Sequence, residues 1–457
     1  MTYFASRHTG HSWRRYQERR AKYKASGRIA RRLLRIVSFS LVFVLVFYWG
    51  TGKNSFYDKT GEHGAASTDG ETRLESYRID KVEVQKLLAD KRLVNLEEKS
   101  FETILHGVSV RVDTSLDVSL QRYLQKKLKR STSRYIGIVI MDAAAGDIVS
   151  MVGYNKMDPA ANPCIDNRYP AASVFKIITA AAAVEACGLD PNSILTYNGR
   201  KYTLYRSQLK DRRNRYTRKI TLRDSFAQSI NPVFGKIGAR RLGKSNLEKY
   251  AEAFGFNRNI DFEIPVTPSR VTLSDEPYRL AEIASGFNRE TTISPLHGVL
   301  LPAAVLNEGK LITPTIIEKV TDEHGHVMYR SDLTTINQAV TPEASGILGD
   351  LMQETIRSGT SKKAFRGYRR DRILSKLIIG GKTGSISGKT PDTRYDWFVG
   401  FAEEKQGSVK LAISIVVAHE KYIGTRASRY ARMAIRHYFE NYYSKQITAS
   451  DIARESS

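Results

Sequence analysis

The chain has 457 residues, 41% of them hydrophobic, enough to bury a full core and too many for one ordinary domain. Two cysteines exclude a disulfide scaffold, while a net charge of +25 raises the question of a nucleic-acid partner. The charge is uneven: residues 1–50 hold eleven Lys/Arg against Glu18 alone, so +10 lies there and +15 on the other 407 residues.

In chain order, the basic leader comes first and an uncharged run, IVSFSLVFVLVFYWG (36–50), follows it directly. The run ends in Tyr48-Trp49, an aromatic pair suited to a membrane interface. It reaches the ~20 residues of a spanning helix if Leu33 and Leu34 join it and Arg32 and Arg35 snorkel. A cleaved signal peptide and a soluble apolar helix are the rival readings, but no A-x-A site follows promptly and the leader is long for a signal. The expectation is a basic cytoplasmic tail over 1–32 and an uncleaved transmembrane anchor over 33–50. Arginines before the anchor put the N-terminus in the cytoplasm and the bulk of the chain outside the inner membrane. Residues 51–107 then supply a periplasmic tether, rich in Gly, Ser, Thr and charge, and a small juxtamembrane module.

A globular domain is expected over 108–445, with a C-terminal tail over 446–457. Its first elements are an amphipathic helix at 116–128 and a β-hairpin, YIGIVIMD (135–142) and DIVSMVGY (147–154). YPAASVFKIITAAAAVEACGL (169–189) predicts a buried helix, because from Ser173 onward it is apolar almost all round. The basic stretch 200–223 has interleaved tyrosines and reads as a nucleic-acid patch or as a solvated hairpin facing an anionic surface. A location outside the membrane favours the hairpin, and no nucleic acid is expected. Residues 221–243 predict two short helices broken at Asn231-Pro232. His324 and His326 in DEHGHV mark a hairpin turn rather than a metal site. Strand candidates at 374–385, 395–402 and 408–418 follow one another closely, and a helix at 428–443 comes last. Strands at both ends with helices between them predict an α+β fold. Its antiparallel sheet of about five strands joins sequence-distant halves and is flanked by helices, with a helical subdomain beside it.

Three short motifs carry chemistry. Ser173 and Lys176 share one face at the start of the buried helix, where burial disfavours the ammonium and pushes the lysine toward a general base. The pair is a credible activated nucleophile; the bland alternative is a serine cap with a lysine reaching solvent. Ser207-Gln-Leu-Lys210 repeats the spacing in a polar stretch. Ser229-Ile-Asn231 falls in the helix interruption and could be a plain polar turn. Lys-Thr-Gly occurs as residues 59–61 in the tether and again as Lys382-Thr383-Gly384, after the strand LIIGG. There a lysine, a hydroxyl and a backbone N–H would line an edge suited to an extended peptide.

With S-x-x-K, S-x-N and K-T-G in this order and local context, the chain resembles the transpeptidase domain of the penicillin-binding protein family over roughly 108–443. ISPLHGVLL (293–301), SGTSKKAF (358–365) and DWFVGFA (396–402) agree with it. The resemblance implies a β-lactamase/transpeptidase-like fold and a serine acyl-enzyme. Ser173 would attack the penultimate D-Ala carbonyl of a peptidoglycan stem peptide and Lys176 would take its proton. Ser229 and Lys382 would relay a proton to the leaving D-Ala. Backbone N–H groups of Ser173 and Ser385 would form the oxyanion hole. Thr383 with Ser385, along the Gly384 edge, would hold the terminal carboxylate, and Asn231 a peptide amide. β-Lactams would acylate the same serine. No cofactor or metal is implied; cell-wall synthesis proteins are conceivable partners. Between the anchor and residue 108 lie 57 residues, too few for a glycosyltransferase domain, so a monofunctional enzyme is expected. A D,D-carboxypeptidase or β-lactamase on the same site, and a non-catalytic scaffold or β-lactam sensor, stay open as alternatives. Cys164 and Cys187 flank the Ser173 segment, where a bridge or two thiols would fit.

Overall fold

The computed structural model describes residues 78–388 and 393–455. The expected cytoplasmic tail, anchor and tether, and the first Lys-Thr-Gly, lie outside these residues. Among the described residues no helix is long and apolar enough to cross a membrane.

Helix α1 (Lys81–Leu87) is opened by a reciprocal cap in which Asp80 accepts from the Glu83 N–H and Glu83 reaches back. Strands β1 (Ser100–Leu105) and β2 (Val108–Thr114) form a hairpin turning at His106-Gly107, both with positive φ. Helix α2 (Val118–Lys127) leads into β3 (Ser133–Asp142) and β4 (Ile148–Asn155). The middle of the chain adds β5 (Tyr169–Pro170), α3 (Lys176–Cys187), and the hairpin of β6 (Ile194–Tyr197) and β7 (Arg218–Thr221). Helices α4 (Leu222–Ala227), α5 (Asn231–Lys236), α6 (Gly243–Ala253) and α7 (Pro277–Ser285) follow. Next come β8 (Thr292–Ile293), α8 (Pro295–Leu306), β9 (Lys310–Ile312), β10 (Ile317–Asp322), β11 (Val327–Arg330) and β12 (Thr335–Gln338). The chain closes with α9 (Pro342–Arg357), β13 (Leu377–Ser387), β14 (Arg394–Glu404), β15 (Lys410–His419) and α10 (Ala427–Glu455).

The main sheet has the order β13-β14-β15-β3-β4 and is antiparallel throughout. The expected union of distant halves occurs at β15 and β3, where Ile413 pairs with Ile140. Both strands are nearly continuous apolar runs because helices cover both faces. Their alternation sorts side chains into two cores. Ile136, Ile138, Ile140, Ile413, Ile415 and Val417 face α10 through Tyr430 and Ala434. Val139, Met141, Ala412 and Val416 join the core that holds α3 and α8. Fully burying each such side chain contributes on the order of 1.5–3 kcal/mol, so the sheet is a rigid platform whose edge strand, β13, carries the second Lys-Thr-Gly.

Three boundaries differ from expectation. The division placed between residues 107 and 108 falls inside the β1–β2 hairpin, and β2 also pairs with β10. Val84, Leu88, Leu93 and Leu105 are buried in the main core, so residues 78–114 complete the domain instead of preceding it. Amphipathicity was too weak there to reveal pairing with a strand some 200 residues downstream. The tail expected from residue 446 is instead continued as helix to Glu455, since no Gly or Pro stops it. The helix expected over 169–189 begins as a 3-10 turn, Ala172–Phe175, and becomes α-helical only at Lys176. Cys164 and Cys187 are both free thiols. Cys164 is buried with its sulfur toward the Ile138 and Val152 carbonyls. His324 and His326 occupy the β10–β11 turn, where both backbone N–H groups donate to Asp322.

Candidate active site

Ser173 sits in the 3-10 turn, one residue after Ala172, whose φ of 47° is costly for a residue with a side chain. Neighbouring elements impose that conformation. The Ala171 N–H donates to the Thr291 carbonyl at 2.9 Å, and the Trp397 indole N–H donates to the Pro170 carbonyl at 2.9 Å. Gly286, left-handed at the end of α7, lies directly under the Ala172 carbonyl. On the other side Gly384 of β13 brings the sheet edge against the turn, where a Cβ would lie 3.3 Å from the Ala172 Cβ.

Lys176 opens α3 and is fully buried. Its Nζ lies 2.8 Å from Ser173 Oγ, 2.8 Å from Asn231 Oδ1 and 2.6 Å from the Ser285 carbonyl. Burial first, and then the charge of Lys382, hold this amine well below the usual lysine range. No carboxylate pairs with it among the described residues. A neutral amine has two N–H donors and one lone pair. Asn231 Oδ1 and the Ser285 carbonyl can only accept, so they take the two N–H bonds and leave the lone pair facing the Ser173 hydroxyl. The Asn231 amide is oriented for this by its own Nδ2, which donates to the Tyr202 carbonyl at 3.1 Å. Such an arrangement can take the serine proton as the hydroxyl attacks a carbonyl.

Ser229 occupies the break between α4 and α5 with a φ of 57°. Lys382, also fully buried, donates to Ser229 Oγ at 2.9 Å and to the Thr383 carbonyl at 2.9 Å. Burial pushes its ammonium down to about 7. Lys176 and Lys382 lie over the rings of Phe234 and Phe226, at 5.6 and 5.5 Å from their centroids, which keeps both amines away from water.

The fold thus brings Ser173, Lys176, Ser229, Asn231, Lys382 and Thr383 into one site from three separate segments. Gly384 and Ser385 continue the same edge. Ser207 and Lys210 are exposed and lie elsewhere, in a 3-10 turn. Sequence reasoning missed four contributors. The Ser285 carbonyl and Gly286 carry no side-chain signal. Arg394 donates from Nε to Ser385 Oγ at 3.0 Å, adding a cation at the end of the edge. Thr360 pairs hydroxyl to hydroxyl with Thr383 at 2.6 Å; it stands in SGTSKKAF, so it was visible as a motif but not as a contact. Thr360→Val should leave the fold unchanged and raise the β-lactam concentration at half-maximal acylation by roughly 2- to 10-fold, the worth of one net hydrogen bond. Titration of the acylation rate against inhibitor concentration would read this.

The family model described as the penicillin binding protein transpeptidase domain matches residues 136–436. Stage V sporulation protein D of Bacillus subtilis is 26% identical over 341 residues, 66% of this chain and 49% of that protein. Peptidoglycan D,D-transpeptidase PbpA of Mycolicibacterium smegmatis is 25% identical over 290 residues, 60% of this chain and 55% of that protein. The chain therefore spans about half the length of these curated relatives. Among solved structures, the D,D-transpeptidase domain of a peptidoglycan glycosyltransferase from Eggerthella lenta superposes with a TM-score of 0.60 at 23% identity, over 72% of this chain and 82% of that one. PBPA from Mycobacterium tuberculosis gives 0.59 at 21%, over 71% and 81%. At these identities the superpositions speak for the fold alone, while the family match covers most of the chain and all three motifs. The chain belongs to the penicillin-binding protein transpeptidase family.

Proposed function

We propose that the protein is a peptidoglycan D,D-transpeptidase, working through an acyl-enzyme on Ser173 and acylated there by β-lactams. The observation that carries this reading is the hydrogen-bond inventory of Lys176, which leaves its lone pair to the serine. Lys176 takes the Ser173 proton as Oγ bonds to the carbonyl carbon of the penultimate D-Ala. The Lys382–Ser229 pair delivers a proton to the leaving amine as the C–N bond breaks. The N–H groups of Ser173 and Ser385 stabilise the developing oxyanion. Thr383, Ser385 and Arg394 receive the terminal carboxylate. An amine from a second stem peptide then takes the acyl group, forming the cross-link. Asn231 holds Lys176 as well as a peptide amide.

The reading includes an N-terminal anchor over 33–50 in the inner membrane with the domain in the periplasm, supported by the basic leader and the aromatic-ended apolar run. The test is fluorescent penicillin labelling of the full chain. Wild type and Ser207→Ala should label; Ser173→Ala should not. Label surviving in Ser173→Ala would refute the assignment. Both reactions release the terminal D-Ala, so cross-linked dimers rather than the hydrolysed, shortened stem peptide among the products would separate transpeptidation from carboxypeptidation.

A further inference from the structure

The strongest unassigned charge in the domain lies over residues 200–223, which hold ten Lys/Arg and one acid, Asp211. This segment forms most of the β6–β7 hairpin and its long loop, and it packs against α5. Between them lies a cleft of about 470 Å³, within the size range of specific small-ligand pockets. Its floor is apolar, from Leu195, Val233 and Ile237, all buried. Its walls carry Arg212, Arg213 and Arg241, all exposed and none with a carboxylate within 4.0 Å among the described residues.

The cleft already accommodates one carboxylate. Asp211 bridges Lys236, at 3.1 Å, and Arg240. The Lys236 hydrogen bond and charge, with the charges of Arg240 and Arg241, hold this carboxyl below its usual range even though it is largely exposed. Three further guanidiniums line the cleft without a carboxylate within 4.0 Å among the described residues, Arg241 acting on Asp211 only through its charge. Guanidiniums pair with carboxylates in a bidentate fork, and an apolar floor suits the carbon chain between charges.

The cleft is also joined to the site. Helix α5 starts at Asn231, which holds Lys176, and ends at Lys236 in the cleft wall; five residues of helix span about 7–8 Å. The hairpin loop is tied to the same asparagine twice: Asn231 N donates to the Lys201 carbonyl at 2.8 Å, and its amide to the Tyr202 carbonyl. The cleft and the Ser173 site thus share helix α5 and the hairpin loop bonded to its first residue. We infer that this cleft is a second subsite, taking the carboxylate-bearing part of a peptide strand on Arg212, Arg213 and Arg241. The inference rests on the acyl-transfer reading of Ser173 for its orientation, but not for the binding itself.

The experiment uses the full chain in detergent and a short fluorescein-labelled poly-glutamate peptide, followed by anisotropy. Wild type should bind, more weakly as salt rises. The triple variant Arg212→Gln, Arg213→Gln, Arg241→Gln should raise the Kd about tenfold or more, as expected for losing charge-assisted hydrogen bonds. Penicillin labelling of the triple variant should stay within about twofold of wild type, because α5 and its Asn231 are untouched. An unchanged Kd overturns the subsite. So does displacement of the peptide by inorganic polyphosphate or anionic phospholipid vesicles at lower charge concentration, which would make it a phosphate site. Should the variant fail to label, photo-cross-linking of the peptide to wild type decides: attachment within 194–213 or 233–241 supports the cleft, and attachment elsewhere overturns it. Label retained in Ser173→Ala would sink the acyl-transfer reading while leaving the cleft result standing.

Discussion

Lys176→Met should lower the rate of acylation by a β-lactam by about 10²–10⁴-fold, the range for loss of a positioned general base. The fold should persist, because methionine matches the lysine stem in volume and the site is already apolar around Phe234. Two effects oppose each other in stability. Burial holds the wild-type amine well below its usual range, a cost that methionine removes. Against this, Asn231 Oδ1 and the Ser285 carbonyl lose their donor in a buried place. The net change in unfolding free energy should therefore be small beside the kinetic effect. The neighbouring lysine supplies the pH signature. Lys382 titrates at about 7 in the folded chain and near 10.4 when unfolded. Between those values the unfolded chain binds a proton that the folded one does not, so wild-type stability rises with pH from about 7 toward 10 and is insensitive to this group below 7. Lys382→Met should reduce that rise, leaving the share contributed by Lys176. Stopped-flow acylation of Lys176→Met, and urea unfolding of wild type and Lys382→Met at neutral and alkaline pH, would check the two statements. A Lys176→Met enzyme acylated at the wild-type rate would remove Lys176 from the chemistry.

Gly286→Ala should be the most damaging single methyl in the site. The residue has a φ of 65°, which alone costs a side-chain-bearing residue on the order of 1 kcal/mol. Its new Cβ would also overlap the carbonyl of Ala172 and stand 2.9 Å from the Ser173 N–H. These are backbone atoms of a turn already strained at Ala172, so no side chain can swing away to make room. Together a loss of more than about 3 kcal/mol is expected, with acylation falling further than occupancy of the fold would explain. Thermal unfolding combined with penicillin labelling of the folded fraction separates the two losses. A variant with wild-type Tm and labelling rate would show that the turn is softer than its contacts imply.

Much of the candidate site was legible because its parts are local. Ser173 and Lys176 are one helical turn apart, Ser229 and Asn231 share one chain break, and Lys382 to Ser385 share one strand. Their chemistry follows from spacing and flanking hydrophobicity. The segments that make the pattern work were not legible in the same way. The Ser285 carbonyl is 109 residues from Lys176 and acts through backbone, which any residue type would supply. Arg394 reaches Ser385 only through the β13–β14 register. The five strands of the main sheet were visible as alternating or continuous apolar runs. The β1–β2 hairpin was not, because only its inward residues are buried and its partner β10 lies far along the chain. The basic loop over 200–223 read as a solvated hairpin. The fold shows that it also grips Asn231, a link that charge composition could not express.

The meeting of β3 with β15 has a consequence for how the chain reaches its native state. Ile140 and Ile413 are 273 residues apart, and closing such a loop costs about 5 kcal/mol of chain entropy before the pairing returns anything. The β3–β4 hairpin is complete early in synthesis, yet the strand that covers the β3 edge arrives near the end. In that interval β3 presents an unpaired, apolar flank of the kind that joins wrong partners. Folding should therefore be slow and late, with the sheet assembled only after residue 419 has emerged. Chains interrupted before β15 should aggregate rather than retain a partial active site.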